Sequence, residues 1–508
     1  MSESKRIVKN TMFLYIRMFL LMGVTLYTSR IVLRELGVSD YGIYSVVGGF
    51  VTLLGVLSGA MSSATQRYLS FSIGKGDFVQ LKKTFSITLT IHIGIAVLGL
   101  LLAETLGLWY VNYKMVFPDD RVFAVNMVYQ FSILTFLLKI IQVPYNALII
   151  ARERMNMYAY VSILEAVLRL AIVFMLVYFG SDKLITYAIL TFSIAFIIRM
   201  IYQIYCHREF AESRYKFQYD KKYYKELISY SGWNFLGNIA FFGKNQGINI
   251  VLNLFFGTVV NAAYGVTNQV YGAVNLFVSN FQLALNPQII QNYSQGNLKQ
   301  VHYLISQGSK FSFFLMLIIV TPILLNTDYI LHLWLNNPPE YTVDFLQLCL
   351  VNILIECLSG TLLTGAQATG KMKRYQLIVG SLVFLNLPLS YLMLKLGFEP
   401  YSTYVIAIII SLLSLQFRLF FLKREMEFDV REYYFRVLSK VAVLGSFVAA
   451  IIFGLQNYWD YELNIWTFIV ESIFVMGLLV LMIIIVGITK NERKLILQLI
   501  NKKFKRHK

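Results

Sequence analysis

The chain has 508 residues, 57% of them hydrophobic, 15% aromatic and only 14% charged, and its mean hydropathy is +0.62. A soluble chain is closer to about 45–50% apolar and about 25% charged, so this one cannot cover its apolar residues with a polar surface, and soluble enzymes are excluded. A formal charge of +18 would point to nucleic acid in a soluble protein, but in a membrane protein the placement of Lys and Arg decides more than their total, and no nucleic-acid partner is expected.

Taken in chain order, a short basic start (Met1 to Lys9) leads into an apolar run that carries Arg17 and Arg30 and no small-residue cleavage site, which predicts an uncleaved first helix. Apolar runs long enough to span the bilayer predict fourteen helices, at 11–33, 41–64, 84–108, 122–150, 156–179, 184–205, 227–256, 261–287, 303–326, 341–366, 374–396, 401–421, 437–456 and 464–487. Loops on the N-terminal side hold 32 of the 45 Lys and Arg, loops on the other side hold 6, and 7 lie within spans. Short cytoplasmic loops carry the positive excess, so both termini are expected in the cytoplasm.

The pattern repeats. At a shift of 220, Gly37 meets Gly257, Tyr44 meets Tyr264, Val46 meets Val266 and Gly76 meets Gly296; at 217, Ala151 meets Ala368, Met155 meets Met372, Tyr158 meets Tyr375, Gly180 meets Gly397 and Tyr187 meets Tyr404. The fold class expected is therefore an all-α polytopic membrane protein of about fourteen transmembrane helices, with two pseudo-symmetric six-helix lobes and two C-terminal helices. The expected divisions are an N-lobe at 1–205, a cytoplasmic linker at 206–226, a C-lobe at 227–421, the last two spans at 422–487 and a basic cytoplasmic tail at 488–508. Two lobes entering from the same side form a parallel repeat, in which cargo sits between lobes near the midplane, and that points to a carrier.

Cys206, Cys349, Cys357 and five scattered histidines give no CxxC, HExxH or zinc spacing, no GxxxxGK[ST] occurs, and no loop is long enough for an external active site, so neither a metal nor a cofactor is expected. The informative residues are charges left inside spans, each of which is expensive there. Lys139 and Lys244 lie mid-span and are expected to face a polar cavity, whereas Arg199, Lys310 and Arg418 lie near cytoplasmic ends, where long side chains snorkel to the interface. Glu165 and Arg169 stand at i,i+4 in the favourable order and are read as a neutral pair or a site pair. Arg17 and Arg30 are read as cavity cations or interfacial anchors. Asn234, Asn238, Asn245, Asn249 and Asn253 recur along one face of the seventh span, and Asn268, Asn275 and Gln282 add heptad-spaced amides on the eighth, beside Tyr264 and Tyr271. Either these amides bond helix to helix, or they make a wet wall suited to a sugar, whose faces are apolar and whose edges are hydroxyls. Glu165 and Glu356 are the candidates for coupling to an ion.

Asn10-Thr11, Leu14-Tyr15-Ile16-Arg17, Leu26-Tyr27-Thr28-Ser29-Arg30, Leu36-Gly37, Asp40-Tyr41-Gly42-Ile43-Tyr44 and Gly74-Lys75-Gly76-Asp77 give the first 80 residues a familiar wording. It resembles the Wzx-type flippases of O-antigen, lipopolysaccharide and capsule units, in the multidrug/oligosaccharidyl-lipid/polysaccharide exporter superfamily. The resemblance implies alternating access, a cationic lumen holding Arg17, Arg30, Lys139, Arg169 and Lys244, and an undecaprenyl-diphosphate-linked oligosaccharide as cargo. It further implies residence in the bacterial cytoplasmic (inner) membrane among membrane lipids and a polysaccharide polymerase as functional partner. A multidrug exporter on the same fold would call for a carboxylate-dominated cavity, and a membrane polymerase or ligase would call for a large external loop; these stand as alternatives.

Overall fold

The computed structural model describes residues 3–113, 115, 117–178, 182–458, 464–489 and 492, and among these there is no strand. Hydrocarbon offers no partners to a backbone, so a chain this apolar closes its own hydrogen bonds as helices. Helix α1 runs Glu3–Lys75 and breaks at Gly37 (φ 77°, ψ 168°), which divides it into the first two expected spans. Then come α2 (Phe78–Tyr113), α3 (Asp119–Ala151), α4 (Met155–Tyr178) and α5 (Lys183–Glu209). The linker leads into α6 (Lys221–Phe256) and α7 (Thr258–Ser294), followed by α8 (Leu298–Leu325) and the short α9 (Thr327–Leu335). Helices α10 (Thr342–Glu356) and α11 (Ser359–Thr369) meet at a 41° bend, and α12 (Met372–Lys395), α13 (Ser402–Met426), α14 (Val430–Leu455) and α15 (Ile465–Gly487) complete the order. Side-chain caps set several starts, among them Asp77 on Gln80 N–H, Asp182 on Leu184 and Ile185, and a capping box between Asn464 and Thr467.

Among the described residues, ten helices are long and apolar enough to cross a bilayer, eleven if α10 and α11 form one bent span. The second half of α1 and the amide-bearing α6 and α7 stand at the other expected spans, so the architecture is consistent with about fourteen membrane helices.

The helices gather into two compact units: Met1–Ile239 with Leu283–Leu298 and Gln367–Gln376, and Ala240–Gln282 with Lys299–Ala366 and Leu377–Lys508. In the first, α1 packs along α3 and α4, and α3 along α5, over a core that includes Leu69, Phe85, Tyr145 and Leu148. The same unit holds the ends of α6 and α7 through polar contacts: Tyr68 OH donates to Glu226 (2.9 Å), Gln291 Nε2 donates to Ala151 O (2.8 Å), and Gln288 Nε2 donates to Glu153 (3.1 Å), which also pairs with Arg6 at 2.7 Å. In the second, α10 and α12 pack on α13 around Leu252, Phe345 and Leu394.

The repeat is visible in the backbone. Gly37 and Gly257 have φ of 77° and 75°, Gly76 and Gly296 of 69° and 76°. The turns at Gly76 and Gly296 close with the same pair of bonds, Gly76 N–H to Ile73 O and Asp77 N–H to Ser72 O in one, Gly296 N–H to Tyr293 O and Asn297 N–H to Asn292 O in the other. Tyr44 meets Tyr187 at 4.9 Å, and their counterparts Tyr264 and Tyr404 meet at 6.0 Å. At a shift of 217, Glu153 (φ 56°) corresponds to Gly370 (φ 77°).

Two cations expected to snorkel do otherwise. Lys310, with 2% of its side chain exposed, binds Glu492 at 2.7 Å; Arg199, 7% exposed, lies over the Tyr145 ring at 4.6 Å and donates to Gln203. Each has found a partner inside the protein, which removes the reason to reach for the interface. Most of the basic tail at 488–508 lies outside the described residues.

Candidate functional site

Each unit holds a polar group of residues at mid-span depth. In the first unit α1 supplies Arg17, α3 Lys139, and α4 both Glu165 and Arg169. Arg17 lies over the Tyr158 ring at 4.6 Å, with its Nη2 at 3.5 Å from the phenol oxygen and its Nε buried without a hydrogen-bond partner. Arg169 closes on Glu165 at 2.6 Å, one turn away as the spacing predicts, and Lys139 lies within electrostatic range of both. The Tyr44 and Tyr187 rings border Arg169. Lys139 and Arg169 thus share one carboxylate, while Arg17 lies against Tyr158, seven residues earlier on α4. The Arg169 and Glu165 side chains are 51% and 32% exposed, and hydrocarbon does not solvate such a pair, so this face calls for water or a polar ligand.

In the second unit Lys244 on α6 faces Glu356 on α10 at 3.7 Å, and Tyr271 OH on α7 donates to the same carboxylate at 2.9 Å. They stand on the shared wall of two open cavities, of about 450 and about 860 Å³. Asn245 and Asn268 line the smaller, Asn275, Gln282 and Arg418 the larger. Arg418 Nη1 donates to Ser359 Oγ at 2.8 Å.

The amide stripe does not form one wall. Helix α6 passes from the first unit to the second between Ile239 and Ala240, which puts Asn234, buried, and Asn238 with the first unit. Asn249 and Asn253 are tied to Asn261 across the α6–α7 turn, with Asn261 Nδ2 donating to Asn249 O (2.7 Å) and Asn253 Nδ2 to Asn261 Oδ1 (2.8 Å). Gln282 Nε2 donates to Ser312 Oγ and Cys357 O. The side chain of Arg30 lies outside the described residues. Asn352, Asn386, Tyr404 and Ser414 also line the cavities. Helical spacing marks three of them, Asn352 four residues before Glu356, Asn386 four before Ser390, and Ser414 between Ser411 and Arg418, and the repeat pairing of Tyr187 with Tyr404 points to the tyrosine.

The model of one family, polysaccharide biosynthesis protein, matches residues 7–293, more than half of the chain. The chain belongs to the polysaccharide biosynthesis protein family. A second model, MatE, matches residues 235–392. No curated protein matches the sequence as a relative. Among solved structures, this polysaccharide biosynthesis protein is similar to an outward-facing multidrug resistance MATE family transporter of the MOP superfamily (TM-score 0.71, 11% identity, 84% of this chain and 96% of that one). It is also similar to a mutant of the Vibrio cholerae MATE transporter VcmN (0.70, 17%, 84% and 99%) and to a MATE in the bent conformation (0.70, 12%, 88% and 98%). The resemblance read in the first 80 residues therefore holds: the protein is a membrane transporter of the multidrug/oligosaccharidyl-lipid/polysaccharide exporter superfamily, multi-pass and MATE-like in fold.

Proposed function

We propose that this transporter flips an undecaprenyl-diphosphate-linked oligosaccharide, a repeat unit of O-antigen, capsule or exopolysaccharide, outward across the bacterial cytoplasmic membrane by alternating access. The observation that carries this reading is the pair of cations, Lys139 and Arg169, at the single carboxylate of Glu165, with Arg17 against Tyr158 on the same helix as Glu165. A diphosphate cannot enter hydrocarbon unpartnered, and charge-assisted bonds from guanidinium and ammonium groups are what it requires. The polyprenyl chain can stay in lipid throughout. With the cell interior negative, outward movement of two negative charges gains about 4.6 kcal/mol per 100 mV, enough for the potential to drive export. Both termini then face the cytoplasm, and a polymerase on the far side consumes the product.

The test is the sidedness of a lipid-linked oligosaccharide in proteoliposomes under an imposed potential, read with an impermeant sugar-modifying reagent. Lys139→Gln and Arg169→Gln are expected to lower the initial rate at least tenfold each. If the intact protein moves no lipid-linked oligosaccharide from a varied panel, the reading is wrong. A drug exporter is the second reading, favoured by the MatE match and by Glu356 as a coupling carboxylate; proton-dependent efflux of cationic dyes, abolished by Glu356→Gln, would establish it instead.

A further inference from the structure

The second unit's two cavities share Phe241, Lys244, Tyr271, Glu356 and Ala407, and therefore adjoin each other. Four buried polar atoms on their walls have no hydrogen-bond partner: Asn352 Oδ1 and Tyr404 Oη in the smaller, Asn386 Nδ2 and Ser414 Oγ in the larger, with the residues 4%, 8%, 1% and 2% exposed. Buried polar groups are almost always satisfied, so atoms like these are met by water or by a ligand.

We propose that this space is a saccharide-binding subsite that holds the sugar rings of the cargo while the diphosphate is held elsewhere; the proposal rests on the transport reading above. The chemistry of the wall selects the ligand class. Lys244 and Glu356 already face each other, so together they offer hydroxyls a donor and an acceptor, and Arg418, held by Ser359, adds a further donor. The unpartnered atoms add an acceptor, a donor and two hydroxyls that serve as either, which is the mixed set that a ring of hydroxyls meets. Tyr264, Tyr271 and Tyr404 supply aromatic faces for the apolar side of a pyranose. A cationic drug would find one carboxylate here, already engaged by Lys244 and Tyr271.

The test measures binding to the full-length protein in nanodiscs by calorimetry. The probes are geranyl diphosphate and the same compound carrying disaccharides of hexose, N-acetylhexosamine or 6-deoxyhexose. At least one sugar-bearing probe is expected to bind tenfold or more tightly than the bare diphosphate. Asn352→Leu and Asn386→Leu should each erase that difference and leave the bare compound's affinity unchanged, and Asn352→Leu should raise or preserve the melting temperature, because it removes an unpartnered polar atom. Equal affinity for all probes, or a preference that survives both substitutions, overturns the subsite and marks the space as a water-filled cavity. Failure of the bare diphosphate to bind, with the sugar preference intact, overturns the diphosphate half of the transport reading and leaves the subsite standing; failure of every probe overturns both.

Discussion

At the scale of single residues, the tightest constraint is steric. A Cβ built on Gly74 would lie 2.0 Å from Ser294 Oγ and 2.6 Å from the Gln291 carbonyl oxygen, so part of what it meets is backbone that cannot swing away. Gly74→Ala is expected to destabilise the first unit by about 1–3 kcal/mol, as overpacking does, and thermal unfolding in detergent will read it. Electrostatics governs the second case. Burial alone would raise the pKa of Glu492, but the hydrogen bonds from Lys310 and from Thr489 more than offset it and leave the carboxyl below its ordinary value of 4.5. A carboxylate with a lowered native pKa contributes stability that is complete above the unfolded value and is lost as pH falls through the native one. The wild type should therefore lose melting temperature below about pH 4.5 faster than Glu492→Gln, while at pH 7 the variant should be less stable by about 3–5 kcal/mol, because Lys310 is left buried and alone.

At the scale of elements, the same pair shows what the last two helices do. Glu492 follows α15, Lys440 on α14 donates to Gly487 O at 2.8 Å, and Gly487 lies against the Phe314 ring of α8. Truncation after Met426 should thus abolish stable expression, and Lys310→Met in the truncated chain should restore part of it; size-exclusion profiles after detergent extraction will show either result. How much of this was legible differs by element. The i,i+4 spacing of Glu165 and Arg169 announced their pair, because a helix places those positions side by side. Nothing announced Lys310 with Glu492, which lie 182 residues apart. The amide period on α6 correctly reports one face, but a period does not say what the face meets: part falls in each unit, and Asn249 and Asn253 are held by Asn261. Asn352 and Asn386 acquire meaning only when the fold closes around them.

At the scale of the whole molecule, the count of spans was legible because the bilayer imposes a length on every apolar run, and the repeat was legible because turns that need glycine keep it. The orientation expected from the Lys and Arg distribution is open to direct measurement. The three native cysteines are buried, so single cysteines at exposed turns report cleanly: Gln295→Cys should react with an impermeant maleimide only from the cytoplasmic side, Asn337→Cys only from the outside, and the reverse pattern would invert the topology. The repeat also holds a departure. Where one copy has Gly370, the other has Glu153 in the same left-handed conformation, and a side chain there costs about 1–2 kcal/mol of backbone strain. That cost is borne by a residue that keeps 7% exposure and holds both Arg6 and Gln288. The two corresponding joints thus share a left-handed geometry and differ in chemistry: one keeps the conformationally easy residue, and the other carries a carboxylate that fastens the start of α1 to the end of α7.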